Sequence, residues 1–153
     1  MLKKTMEMKK LYLTLLLTVV SSLFAFAAPD DDVAVAFEQI PAASQTFVTT
    51  HFAKEQVSFC LRDNHSYEVR LSDATEIEFD RAGNWEEVDC KYKAVPASVI
   101  KLIPEPVNAY VVRSYPSSVI TKVKVKVWGY EIELNNGLEV EFNRAGQFLR
   151  IDD

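Results

Sequence analysis

Tyr67-Glu68-Val69-Arg70-Leu71 and Tyr130-Glu131-Ile132-Glu133-Leu134 stand 63 residues apart, and each alternates apolar with charged side chains. Alternation of period two is the mark of a strand with one face buried and the other solvated. At the same offset Glu76, Glu78 and Phe79 meet Glu139, Glu141 and Phe142. Arg81-Ala82-Gly83 meets Arg144-Ala145-Gly146, Trp85 meets Phe148, and Asp89 meets Asp152. Upstream the offset is kept without a gap, from Ile40-Pro41 against Ile103-Pro104 to Val57 against Ile120. One constant offset over such a span implies internal duplication.

Each copy reads as helices followed by a meander of strands. In the first, Asp31 or Asp32 can cap a short helix through Phe37, and Pro41 opens a second that buries Ile40, Phe47, Val48 and Phe52. In the second, Pro96 and Pro104 open the corresponding turns. There Val99, Ile103, Val107, Tyr110, Val111 and Tyr115 supply the apolar stripe. Strands are expected near 57–62, 67–72, 75–80 and 84–90, and again near 120–128, 130–135, 138–143 and 147–152. Gly83 and Gly146 close the paired Arg-Ala-Gly turns and are expected at positive φ. Trp128-Gly129-Tyr130 reads as a tight reversal or bulge. The expected fold class is therefore α+β. It comprises two tandem repeats, each helix-helix followed by a four-stranded antiparallel sheet, in a two-layer α/β arrangement.

The chain has 153 residues, 17 Lys plus Arg and 22 Asp plus Glu, with 48% hydrophobic and 25% charged residues. These values describe a globular protein with enough chain for a real core. Lys3, Lys4, Lys9 and Lys10 flank an apolar run, Leu11–Val20, that ends in Ala25-Phe26-Ala27. That is the pattern of a cleavable export signal, with cleavage expected after Ala27. For a transmembrane anchor the run from Leu11 to Ala28 is barely long enough, and the small residues at its end favour cleavage. The expected organisation is a signal peptide at 1–27 and repeats at 28–90 and 91–153. Without the leader, 13 basic face 21 acidic residues, a net charge of −8. Such a balance disfavours a nucleic-acid partner. The expected location is periplasmic or secreted, with no stable membrane anchor after cleavage.

Tyr67, Val69, Leu71, Ile77 and Phe79, with their counterparts in the second copy, share the parity that should face the helices. Glu68, Arg70, Glu76, Glu78, Glu131, Glu133, Glu139 and Glu141 point the other way, as do Lys122, Lys124 and Lys126. The same parity places Phe59, Leu61, Trp85, Trp128 and Phe148 on that outer face, where a one-residue bulge would reverse any of them. Aromatic anchors within a charged surround suit a protein-binding surface. Cys60 and Cys90 fall on strands one and four of a meander, roughly 14 Å apart. Bridged Cα atoms lie within about 7 Å, so two buried thiols are expected unless strand order departs from sequence order.

Residues for chemistry are sparse. His51 and His65 have no second His nearby, and Asp80-Arg81-Ala82-Gly83-Asn84 lacks the alternating acids and terminal Glu of a calcium loop. It reads as a turn. Neither Cys sits in a nucleophile motif, and no Gly-x-Ser-x-Gly or phosphate loop is present. The reading is a non-enzyme without a cofactor.

Tyr67-Glu68-Val69-Arg70-Leu71, Thr75-Glu76-Ile77-Glu78-Phe79-Asp80 and Gly83-Asn84-Trp85 resemble the periplasmic PepSY-like proteins, a family similar in fold to the β-lactamase inhibitor protein. Val95-Pro96-Ala97-Ser98-Val99-Ile100 and Phe148-Leu149-Arg150-Ile151-Asp152-Asp153 carry the same resemblance. It implies a helix-helix-then-four-strand unit present twice, with an open sheet face that clasps a target protein. The function expected is a secreted binding module that restrains an envelope protein or peptide target, such as a peptidase or β-lactamase. The alternative is a small-ligand or envelope-stress protein with a pocket between sheet and helices.

Overall fold

A computed structural model describes residues 32–152. The expected signal peptide, 1–27, and its cleavage site after Ala27 lie outside the described residues. The elements run β1 (Val33–Val35), a 3-10 turn (Phe37–Gln39), α1 (Ala42–His51), β2 (Val57–Arg62), β3 (Ser66–Leu71), β4 (Glu76–Asp80) and β5 (Trp85–Asp89). They continue with α2 (Ala97–Ile100), α3 (Glu105–Ser114), β6 (Ile120–Lys126), β7 (Gly129–Leu134), β8 (Glu139–Asn143) and β9 (Phe148–Asp152).

All nine strands form one antiparallel sheet in sequence order. This corrects the expected α+β class of two four-stranded sheets, each with a helix pair. Among the described residues the protein is mainly β, and the helices are few and short. The cause is the seam between β5 and β6, where Glu87, Val88 and Asp89 pair with Lys124, Val123 and Lys122. Two separate sheets would leave four edges of unpaired backbone groups, and joining them removes two. Val88 and Val123 at the seam are fully buried.

The expected helix from Asp31 or Asp32 through Phe37 is also corrected. Val33–Val35 pairs with Arg62, Leu61 and Cys60 as β1, and only Phe37–Gln39 turns helically. Two β-branched residues beside the open edge of β2 favour the extended chain. In the second half, the corresponding edge of β6 is already taken by β5, and Ala97–Ile100 coils instead.

One row of side chains crosses the whole sheet: Val35, Cys60, Val69, Ile77, Val88, Val123, Ile132, Val140 and Ile151. With Phe79, Leu71, Phe142 and Leu134, its members from Cys60 to Val140 build the floor of a single core; half-buried Val35 packs against it, and Ile151 is exposed at the edge. Val48, Val99, Val107 and Val111 cover that floor from the helices. Phe47 of α1 meets Phe79 edge-on with ring centroids 5.6 Å apart, and Tyr110 of α3 meets Phe142 at 5.4 Å. Pro41 and Pro104 precede α1 and α3. Gly83 and Gly146 lie at φ +92° and +80° in the two Arg-Ala-Gly turns. A Cβ at Gly83 would stand 2.7 Å from Pro41 Cβ, and one at Gly146 2.9 Å from Pro104 Cβ. Glycine therefore serves both turn and helix docking.

Candidate functional site

On the far side of the sheet, two rows cross from β2 to the β9 edge. The first runs Leu61, Glu68, Glu78, Glu87, Lys124, Glu131, Glu141 and Arg150. The second runs Phe59, Arg70, Glu76, Asp89, Lys122, Glu133, Glu139 and Asp152. The alternation that buries one row of apolar residues forces these outward. Among the described residues, α1 and α3 both pack on the opposite face, against Phe79 and Phe142.

Ion pairs tie neighbouring strands along these rows. Lys122 Nζ lies 3.3 Å from Glu87, 3.7 Å from Asp89 and 3.8 Å from Glu133. Lys124 reaches Glu87 at 2.5 Å, and Lys126 reaches Glu131 at 3.3 Å. The Arg150 guanidinium donates two bonds of 2.8 Å to Glu141. Arg70 pairs with Glu68 and Glu76. Lys91, held at φ 59°, joins Glu76 at 2.6 Å and Asp89 at 2.9 Å. Each pair is worth little alone, but a network on a rigid ladder presets the charge pattern.

Neutralisation along the rows is uneven. Glu68, Glu78 and Glu87 sit directly opposite one another on three strands, as do Glu133, Glu139 and Asp152. Like charges so placed repel. Burial, then the neighbouring Glu87 carboxylate, lifts the Glu78 carboxyl above its ordinary value. Burial, then Glu131 and Glu133, does the same to Glu139.

Of the five residues expected on this face, the structure places two there. Phe59 is exposed opposite Arg70, whose guanidinium lies 5.1 Å from its ring centroid. Half-buried Leu61 shares a small polar dent with Glu68 and Glu78. Trp128 is exposed in the turn between β6 and β7, whose Val127 carbonyl accepts a 2.8 Å bond from Arg144 Nε.

Trp85 and Phe148 are corrections. Trp85 stacks on Phe47 of α1 at 5.7 Å, and Phe148 stacks on Tyr110 of α3 at 4.9 Å. Both therefore lie on the helix side. The ladder slips by one residue between Glu78 and Phe79, and again between Glu141 and Phe142. Phe79 thereby pairs with Trp85, and Phe142 with Phe148. Sequence reading placed the Lys-x-Lys-x-Lys run outward but missed its pairing across the seam. It also missed Lys91 as a clamp. Lysines alternating opposite glutamates were the available signal, but only the register makes them partners.

The expected turn at Asp80–Asn84 is closed by its own carboxylate. Asp80 accepts bonds of 2.9 Å from the Ala82 and Asn84 amides and 2.8 Å from the Asn84 side chain. Among the described residues, no three His, Cys, Asp or Glu side chains gather as metal ligands. Cys60 and Cys90 are separate buried thiols. Burial pushes the Cys90 thiol up to about 11 and raises Cys60, so both stay protonated at neutral pH. A cleft of about 440 Å³ lies beside Cys90, lined by His51, Phe52, Asp73, Thr75, Lys93 and Pro96 among others. Lys93 pairs with Asp73 across it. No described helix is long and apolar enough to cross a membrane.

The geometry is that of a helix-backed sheet with a patterned, solvent-facing surface. The chain belongs to the PepSY-like family, described as "putative beta-lactamase-inhibitor-like, PepSY-like", which matches residues 30–73 and 65–150. A protein from Bacteroides vulgatus, described as "a putative periplasmic protein of unknown function", is 34% identical with TM-score 0.74, over 80% of this chain and 99% of its own. A Bacteroides thetaiotaomicron protein, described as "a putative calcium-regulated periplasmic protein", is 33% identical with TM-score 0.74, over 80% and 98%. A second Bacteroides vulgatus protein, also described as periplasmic, is 33% identical with TM-score 0.74, over 82% and 100%. No curated protein matches the chain.

Proposed function

We propose that this protein is an exported, non-enzymatic binding module of the periplasm. Its charged sheet face clasps a folded envelope protein, restraining a peptidase or β-lactamase. The leader at 1–27 is removed after Ala27, which delivers the acidic mature chain to that compartment. The supporting observation is the outer face itself: two ion-paired rows spanning the eight strands β2 to β9, with no described helix packed over them. Phe59 and Leu61 stand at one end of these rows. The glutamate-rich stretches around Glu78 and Glu139 suit a partner that brings Lys or Arg to them. The family description and the periplasmic relatives favour the same reading.

The test is titration of the protein against purified envelope β-lactamases and peptidases, following both binding and enzyme rate. A genuine partner loses affinity at least about ten-fold with the F59A/L61A double variant, as expected for apolar anchors at the end of the charged rows. Far-UV circular dichroism stays unchanged. A partner bound equally well by the double variant overturns this surface. Failure to slow any such enzyme at micromolar concentration overturns the inhibitor role.

A further inference from the structure

β9 is an edge strand of unusual character. Among the described residues it pairs only with β8, and all five of its residues are exposed. Phe148, Leu149 and Ile151 are 42%, 49% and 42% exposed. Exposed edges are commonly blunted by proline or by lysines facing the gap, and Phe148–Asp152 contains neither.

The molecule itself displays what such an edge accepts. β5 lies 63 residues upstream, with Glu87-Val88-Asp89 where β9 has Arg150-Ile151-Asp152. The free side of β5 is filled by β6. Val88 meets Val123, and on either side Glu87 meets Lys124 and Asp89 meets Lys122. The rule at that seam is an apolar pair flanked by opposite charges. Arg150-Ile151-Asp152 satisfies it against itself. Antiparallel pairing about a two-fold axis through Ile151 sets Ile151 on its own copy and Arg150 opposite Asp152 twice over.

We propose that β9 pairs with β9 of a second copy of this chain, continuing the sheet across a two-fold axis centred on Ile151. Centring on Arg150 instead would oppose two guanidiniums. Pairing β9 with β1 would set Arg150 and Asp152 against Val33-Ala34-Val35, which offers no charge to either. The paired segment is short, so the dimer is weak and depends on concentration.

Sedimentation equilibrium across a concentration series up to the millimolar range tests this. Wild type shows a monomer–dimer equilibrium and nothing larger. R150D and D152R each place like charges at both flanking positions, and each weakens self-association at least ten-fold. An equimolar mixture of R150D and D152R restores the dimer, because each copy then supplies the charge the other lacks. I151K, with two like charges at the axis, abolishes it and serves where a flanking variant fails to fold by circular dichroism. A wild type that stays monomeric overturns the proposal, as do R150D and D152R variants that dimerise as well as wild type. A mixture that stays monomeric, or an open series of higher species indicating β9 on β1, overturns it equally.

Discussion

Glu78 illustrates a local cost of the outer face. It stands opposite Glu68 on one side and Glu87 on the other. Burial and the Glu87 charge both raise its carboxyl above the ordinary value. A raised carboxyl binds its proton more tightly in the folded than in the unfolded chain. Stability from this group is therefore full in acid and is lost as pH rises from about 4.3, the unfolded value, through the folded one. E78Q removes the charge and its cost. The variant is expected to unfold at higher urea than wild type at pH 7 and at nearly equal urea at about pH 4. An equal difference at both values would show that packing, not charge, is responsible. Natural proteins keep costly groups where a surface is used, which accords with the proposed partner bringing a cation to this row.

The helices owe their places to aromatic stacking as much as to aliphatic burial. Phe47 of α1 stacks on Trp85, meets Phe79 edge-on and lies 4.6 Å from the His51 ring. Tyr110 of α3 repeats the first two contacts with Phe148 and Phe142. F47A is expected to cost about 3 kcal/mol, the range for a large aromatic truncated in a packed site. In a W128F background it also shifts Trp85 emission to the red, because the indole loses its cover. An unchanged spectrum would mean that Trp85 is not held by α1. These contacts exist because a bulge in each half turns Trp85 and Phe148 toward the helices. Both halves carry the bulge at the same place, so comparing one with the other could not expose it. The alternation itself shows no mark where one residue is unpaired.

The seam between β5 and β6 makes residues 32–152 one packing unit. Val88 and Val123 sit in the middle of a core that takes side chains from both halves. Unfolding is therefore expected as a single cooperative transition. W128F leaves Trp85 to report on the first half, and W85F leaves Trp128 to report on the second. Their fluorescence midpoints in urea are expected to coincide with each other and with far-UV circular dichroism. Separate midpoints would show that the halves fold independently despite sharing a sheet.

Strand alternation, the glycine turns and the proline-led helices were legible in the chain because each depends on neighbours within a few residues. Val69, Ile77, Val140 and Phe142 were thereby assigned inward, and Glu68, Glu78, Lys122 and Lys124 outward. The joining of β5 to β6, the recruitment of Val33–Val35 to an open edge and the turning of Trp85 and Phe148 toward the helices were decided only in the folded molecule. A period of two states which residues share a face. It does not state which strand lies alongside, nor where one residue drops out of register, because those are settled by hydrogen bonds and packing between segments far apart in the chain.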